Sequence, residues 1–232
     1  MNKKLYIVST PIGNLSDITL RALEILRSVD FIACEDTRVT SNLLKHYEIY
    51  KKLFSLNAFN ESNKLNTVIE RILSGEDAAL VSDSGTPTIS DPGSRLISEA
   101  ILKGIEVISI PGPSAIISAL SISGLPTDSF VFEGFLPQKK GRQKKLLELS
   151  DESRTIVLYE SVHRIEKLIY ELIQYMPQRY TVVCRELTKK FEECWRGYPS
   201  ELENKLPGKT VKGEFVVVIA PKKWEVRSSD EN

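Results

Sequence analysis

Residues 82–93 read "SDSGTPTISDPG", a run of carboxylates, hydroxyls and turn-formers that begins where the apolar stretch Ala78–Val81 ends. A plain connection needs only a few residues, and long ordered loops are commonly functional, so this one reads as built to hold something. A second polar stretch, "EDTR", offers Glu35 and Asp36 as acceptors beside the guanidinium of Arg38. That chemistry suits taking a proton and gripping phosphate or carboxylate. Glu160, His163, Arg164 and Glu186 form a similar set later in the chain. Structural ion pairs between loops explain such charges equally well, and His163 also suits a helix start. Segment 138–145, "QKKGRQKK", concentrates Lys139, Lys140, Arg142, Lys144 and Lys145, with Lys189 and Lys190 as a smaller group. Such a run fits either a solvated helix face or contact with nucleic-acid phosphates.

These residues need elements to position them. In the first half, strands are expected at 5–10, 30–34, 53–56, 78–82 and 106–110, with helices near 17–28, 37–46, 62–74, 94–103 and 113–123. That β-α-β-α rhythm predicts a largely parallel sheet covered by helices. In an open sheet of this kind ligands collect at the carboxyl ends of the strands. The segments found there are "TPIGN", "EDTR", "DSGTPTISDPG" and "PGPSA". Each alone reads as a turn or a helix start; together they point to a site made by small residues and backbone N–H groups.

After the turn-rich "GLPTDS" the rhythm changes. Strands are expected at 130–135, 155–161, 180–187 and 214–221, with helices at 139–150 and 163–176 and helical pieces near 188–194 and 199–206. The expected division is therefore 1–123, 124–222 and a charged, frayed tail at 223–232.

Composition excludes several classes. Lys plus Arg number 31, as do Asp plus Glu, so the chain is no general nucleic-acid coat, although a local basic face remains open. The three cysteines contain no Cys-x-x-Cys pair, which suggests reduced thiols and a cytoplasmic setting. No His/Cys/carboxylate spacing suits zinc, so no metal is expected. No stretch approaches the length of a membrane span, and the opening residues lack the apolar run of a signal peptide. Gly-x-Gly-x-x-Gly, the P-loop and Gly-x-Ser-x-Gly are absent, which argues against a dinucleotide dehydrogenase, a P-loop nucleotidase and a serine hydrolase. "SDSGT" has Val81 where an Asp-x-Asp phosphatase loop would need its nucleophile.

Eight segments, in order from residue 9 to residue 219, resemble one family: "STPIGNLSDIT", "CEDTR", "VSDSGTPTISDPG", "IPGPSA", "FEGFLP", "YESVHR", "RELTKKFEE" and "GEFVVVI". The chain is similar to the small-subunit (16S) ribosomal RNA cytidine-2′-O-methyltransferases of the tetrapyrrole methylase superfamily. One position departs from that pattern, Val162 standing where a proline is expected. The resemblance implies two tandem α/β domains, each a central sheet flanked by helices, with S-adenosylmethionine in the cleft between them. It also implies a homodimer acting on the decoding region of small-subunit ribosomal RNA. The cofactor residues it implies are Pro11, Asp83, Ser84, Gly85, Thr86, Ser114 and Ala115. From the second half they are Leu158, Tyr159, Arg185, Gly213, Glu214 and Phe215. Glu35, Asp36, Arg38, Glu160, His163, Arg164 and Glu186 become candidates for the substrate side, with no single proton acceptor distinguished. Lys139, Lys140, Arg142, Lys144 and Lys145 become candidates for RNA phosphates. Two other readings share these loops: a methyltransferase acting on a small molecule such as a tetrapyrrole precursor, and a non-catalytic RNA-binding protein with a degenerate pocket.

Overall fold

The computed structural model describes residues 3–56, 61–205 and 213–226. The chain divides into two compact units, residues 1–114 and 115–232.

The first unit is a five-stranded sheet in the order β3-β2-β4-β1-β5. Its strands are β1 (Lys4–Val8), β2 (Phe31–Cys34), β3 (Lys52–Ser55), β4 (Ala78–Val81) and β5 (Glu106–Ile110). Every pairing is parallel. β2 and β4, "FIAC" and "AALV", are buried at every position, as strands covered on both faces must be. Alternate side chains sort to opposite layers. Leu5, Phe31, Ala33 and Leu80 pack under α3 (Glu61–Leu73) and α4 (Ser94–Leu102). Val8, Ile32, Ala79 and Val81 pack under α1 (Leu20–Ser28) and α2 (Thr37–His46). The helix expected from residue 17 begins three residues later. A 3-10 turn at Leu15–Asp17 comes first, and the Thr19 hydroxyl then caps α1 by accepting from the Ala22 N–H at 3.1 Å.

The second unit contains α5 (Ala115–Ser123) and a sheet in the order β6-β7-β10-β8-β9. Its strands are β6 (Phe130–Phe135), β7 (Thr155–Ser161), β8 (Thr181–Arg185), β9 (Glu193–Gly197) and β10 (Glu214–Ile219). Only β6 and β7 run parallel; the other pairings are antiparallel. α6 (Arg142–Ser150), α7 (Ile165–Tyr175) and α8 (Pro199–Lys205) cover one face through Leu146, Leu168, Leu172 and Leu202. Val162 packs against this same core, so the apolar residue at the departing position is absorbed by the fold.

Three expectations are corrected. The units divide before α5 rather than after it, because α5 packs on β10 of its own unit. The helical piece near 188–194 is instead a set of turns leading into β9, whose ladder to β8 decides its state. The start of the tail is not frayed: Lys222 bonds Asp151 at 2.6 Å and Trp224 packs on Tyr180. Residues 227–232 lie outside the described residues.

Candidate functional site

Because the first sheet is wholly parallel, the segments after β1, β2, β4 and β5 all emerge at one edge. They are bonded to one another. Thr10 and Gly85 exchange backbone bonds of 2.9 and 3.0 Å, and the Thr10 hydroxyl donates to the Ser82 carbonyl at 3.2 Å. Gly85 has φ +76°, and a Cβ there would lie 3.3 Å from Ile12, so glycine meets both the turn and the close approach. The Ser9 and Thr86 hydroxyls pair at 3.0 Å, and Thr86 donates to the Pro113 carbonyl at 3.3 Å. Pro11 is buried, Ser84 exposed, and Ser114 and Ala115 half-buried. Further along the loop, Thr88 and Ser90 hold φ values of +75° and +67°. A β-branched residue in that region is strained, and such strain persists only where surroundings impose it.

Acidic groups gather at this edge. Asp83 Oδ1 accepts the Asp36 N–H at 3.0 Å, while no hydrogen bond from a described residue reaches Oδ2. Burial pushes the Asp83 carboxyl above its ordinary range. Burial likewise pushes up Glu35, with Asp83, Asp91 and Asp36 adding repulsion, and no cation among the described residues pairs with Glu35. Asp91, which sequence reasoning passed over although it shares the loop, is raised by burial in the same way. Asp36 differs. It caps α2, and the Arg38 guanidinium, bonded at 2.5 Å, holds its carboxyl at about 2. Arg38 is exposed, so its pair with Asp36 is cheap to exchange for another anion.

The second unit contributes a different kind of arrangement. Arg185 ends β8, and Glu186, the residue after it, takes φ +50°. Its carboxylate accepts the Glu214 N–H at 3.1 Å and Lys189 Nζ at 2.9 Å; Lys189 also reaches Glu214 at 2.9 Å. Burial pushes the Glu186 carboxyl up, but Lys189 and the Glu214 N–H outweigh it and hold it below the usual range. Gly213 has φ +125°, and a Cβ there would lie 2.6 Å from Glu186 Cγ, so glycine is required. Arg185 bonds Glu193 at 2.6 Å. Leu158 and Phe215 are core residues of β7 and β10, so their side chains are closed to a ligand. Tyr159 is half-buried and edge-on to Phe132 at 4.9 Å.

Two candidates turn out to be held inside a charge network. The Arg142 side chain is 3% exposed. Its Nε donates to both Glu171 oxygens at 2.9 and 2.8 Å, Nη1 to the Pro137 carbonyl at 3.1 Å, and Nη2 lies 3.5 Å from Glu160. Arg142 is therefore withdrawn as a surface phosphate contact. Its partner Glu171 lies 29 residues away, which no local signal reveals. Glu160, also buried, accepts Arg164 Nε at 2.9 Å and the Ser161 N–H at 2.8 Å. It positions Arg164, which also reaches the Leu136 carbonyl at 3.2 Å. His163 is exposed at the turn before α7. Lys139, Lys140 and Lys144 are exposed, whereas Lys145 is half-buried and bonded to Glu133 at 2.7 Å.

Among the described residues no His, Cys, Asp or Glu group converges tightly enough to hold a metal, and no helix is long and apolar enough to cross a membrane.

Residues 4–203 match the family described as Tetrapyrrole (Corrin/Porphyrin) Methylases. Over 190 residues the chain is 54% identical to the Ribosomal RNA small subunit methyltransferase I of Vibrio cholerae, covering 81% of this chain and 66% of that protein. It is 44% identical over 219 residues to the protein of the same name from Thermotoga maritima, covering 94% of this chain and 99% of the relative. Solved structures share the fold at low identity. Diphthine synthase matches with a TM-score of 0.72 at 20% identity over 94% of this chain and 90% of its own. Uroporphyrin-III C-methyl transferase from Thermus thermophilus, complexed with S-adenyl homocysteine, matches with a TM-score of 0.65 at 16% identity over 94% and 97%.

Proposed function

Since the chain belongs to the Tetrapyrrole (Corrin/Porphyrin) Methylases, and within them to the family of Ribosomal RNA small subunit methyltransferase I, we propose that it methylates the ribose 2′-hydroxyl of a cytidine in the decoding region of 16S ribosomal RNA. The observation that carries this reading is the 44% identity over 94% of the chain and 99% of the Thermotoga maritima relative. S-adenosylmethionine is the proposed donor, a homodimer the proposed assembly, the assembled small subunit the proposed substrate and the cytoplasm the proposed setting. A relative of the same fold complexed with S-adenyl homocysteine supports that choice of donor.

The residues of the first unit fit such a cofactor. Asp83 Oδ2 is a half-buried acceptor without a described partner, suited to an amino or ribose hydroxyl donor. The segments around Pro11, Gly85 and Ser114 are small and bring backbone close to a ligand. Leu158, Tyr159, Arg185, Gly213 and Phe215 are proposed as further cofactor residues.

S-adenosylmethionine supplies a methyl group already activated by its bond to positively charged sulfur. The chain must hold the hydroxyl in line and take its proton. Glu35 is the proposed acceptor, because its carboxyl is half-buried, raised and without a cationic partner among the described residues. Glu160 and Glu186 are engaged with Arg164 and Lys189 and serve instead to position them. Arg38 and His163 are exposed and able to meet RNA phosphate; Lys139, Lys140 and Lys144 extend that surface.

The test is methyl transfer from radiolabelled S-adenosylmethionine to small subunits from cells lacking the native activity, followed by mapping of the label. Label on a ribose 2′-oxygen of a cytidine is expected. Label absent from RNA but present on precorrin-type macrocycles would overturn the assignment in favour of a small-molecule methyltransferase.

A further inference from the structure

We propose that Cys184 and Cys194 form a reversible redox site in the second unit, a cross-strand dithiol that a small-molecule disulfide such as glutathione disulfide oxidises to an intramolecular disulfide. This site is independent of the methyl-transfer reading. Cys184 lies in β8 and Cys194 directly opposite it in β9, and their sulfurs are 3.4 Å apart. A disulfide needs a separation of about 2.05 Å, so the rung must close by roughly 1.4 Å. β9 can supply that movement because it is the edge strand of its sheet, and β8 is its one strand partner among the described residues.

The two thiols are differentiated. Cys194 is half-buried, whereas Cys184 is buried. The two thiols share a hydrogen bond in which either can donate; the contact with Cys184 lowers the Cys194 thiol to about 7, with Arg196 helping. Cys184 is correspondingly raised by that bond and by burial. Arg196, on the same face of β9 as Cys194, is anchored to the Ile122 carbonyl at 2.6 Å. Thiolate character with access marks a reactive cysteine. Cys34 is the internal contrast, buried in the first unit and pushed up to about 11.

The steps balance. The Cys194 thiolate attacks one sulfur of glutathione disulfide, forming a mixed disulfide and expelling a glutathione thiolate. Cys184 then attacks the Cys194 sulfur, the new S–S bond forms, and the second glutathione leaves; the Cys184 proton goes to a departing thiolate. Two protein thiols are oxidised and one glutathione disulfide is reduced to two glutathiones. A dithiol reductant reverses the sequence. Closure at this rung fixes both ends of the segment carrying Arg185, Glu186 and Lys189. A bond held across a rung that must contract belongs to the labile class of disulfides rather than the structural one.

The test is a thiol count on the folded chain. After incubation with glutathione disulfide, the protein is quenched in acid, unfolded, alkylated with a mass-tagging maleimide and weighed intact. The count is expected to fall from three to one, with no retained glutathione mass, a 184–194 cross-linked peptide, and full recovery in dithiothreitol. C184S is expected to stall as a glutathione adduct on Cys194, and C194S to keep its two remaining thiols. Three thiols retained by wild type under conditions that oxidise the unfolded chain would overturn the proposal. So would a disulfide between chains, or thiol loss in C194S as fast as in wild type. The wild-type count and peptide decide the matter even if a serine variant fails to fold.

Discussion

Replacing Arg142 with methionine separates a buried structural charge from a phosphate contact. Methionine keeps the apolar length but removes every donor. Lost are the paired bonds to Glu171 at 2.9 and 2.8 Å, the bond to the Pro137 carbonyl and the 3.5 Å approach to Glu160. Removing one partner of a buried pair typically costs about 3–5 kcal/mol. Each glutamate keeps another partner here: Glu160 has Arg164 at 2.9 Å, and Glu171 has Lys167 at 3.8 Å. The lower end, about 3 kcal/mol, is therefore expected. Urea unfolding followed by a probe in the second unit measures it, with the slope of free energy against denaturant unchanged. The double variant R142M/E171M should recover part of the loss, since removing both partners avoids a stranded charge. RNA affinity and its salt dependence should match wild type in the folded variant. A loss below about 1 kcal/mol, near the median for an exposed pair, together with a shallower salt slope, would show that the guanidinium faces phosphate and would refute the reasoning.

Charge reversal of Lys139 and Lys140 should do the opposite, leaving stability within about 0.5 kcal/mol while weakening subunit binding and reducing its salt slope by about two units, as filter binding across ionic strengths would measure. Glu35→Gln should raise the melting temperature at neutral pH while lowering methyl transfer at least 10²-fold, in the range usual for loss of a general base. The sign follows from the raised folded-state pKa of Glu35: the native state holds a proton that the unfolded chain releases, so stability falls as pH rises above the ordinary carboxylate value of 4.5. The melting temperature of Glu35→Gln relative to wild type should therefore increase as pH rises from about 4 to about 8, as paired melting scans would show. Gly213→Ala must strain φ +125° and displace Glu186, so calorimetry should show S-adenosylmethionine affinity reduced by roughly tenfold or more, the result of a cost of about 1–3 kcal/mol.

The first unit was legible because its strands announce themselves. "FIAC" and "AALV" are continuous apolar runs, and each is followed by polar turn chemistry at the edge where a parallel sheet collects its loops. The second unit was harder for a physical reason: mixed pairing makes strand state depend on partners distant in sequence. "ECWRG" has no apolar alternation of its own and becomes β9 only through its ladder to β8. Arg142 failed in the same way. Its neighbours Lys139, Lys140 and Lys144 are exposed, and the distinction lies in Glu171 and Glu160, which the tertiary fold brings to it. The pairing of Cys184 with Cys194 also depends on register, so spacing alone concealed it.

The distribution of compensation argues for where the chemistry belongs. In the second unit the buried or half-buried acids have been matched: Glu160 with Arg164, Glu171 with Arg142, Glu186 with Lys189. Those groups are finished as structure, and their charges hold one another in place. At the edge of the first sheet the matching stops. Glu35, Asp83 and Asp91 are raised by burial and by neighbouring carboxylates, and the loop that carries two of them holds Thr88 and Ser90 at positive φ. Raised carboxyls and positive-φ backbone of this kind each lower stability at neutral pH. Acids matched by cations in one unit, against acids left raised at the loop edge of the other, are the physical ground on which that edge is proposed as the ligand site. The thermal gain expected of Glu35→Gln tests that argument directly: a variant less stable than wild type at pH 7 would mean that the Glu35 carboxylate is structure after all.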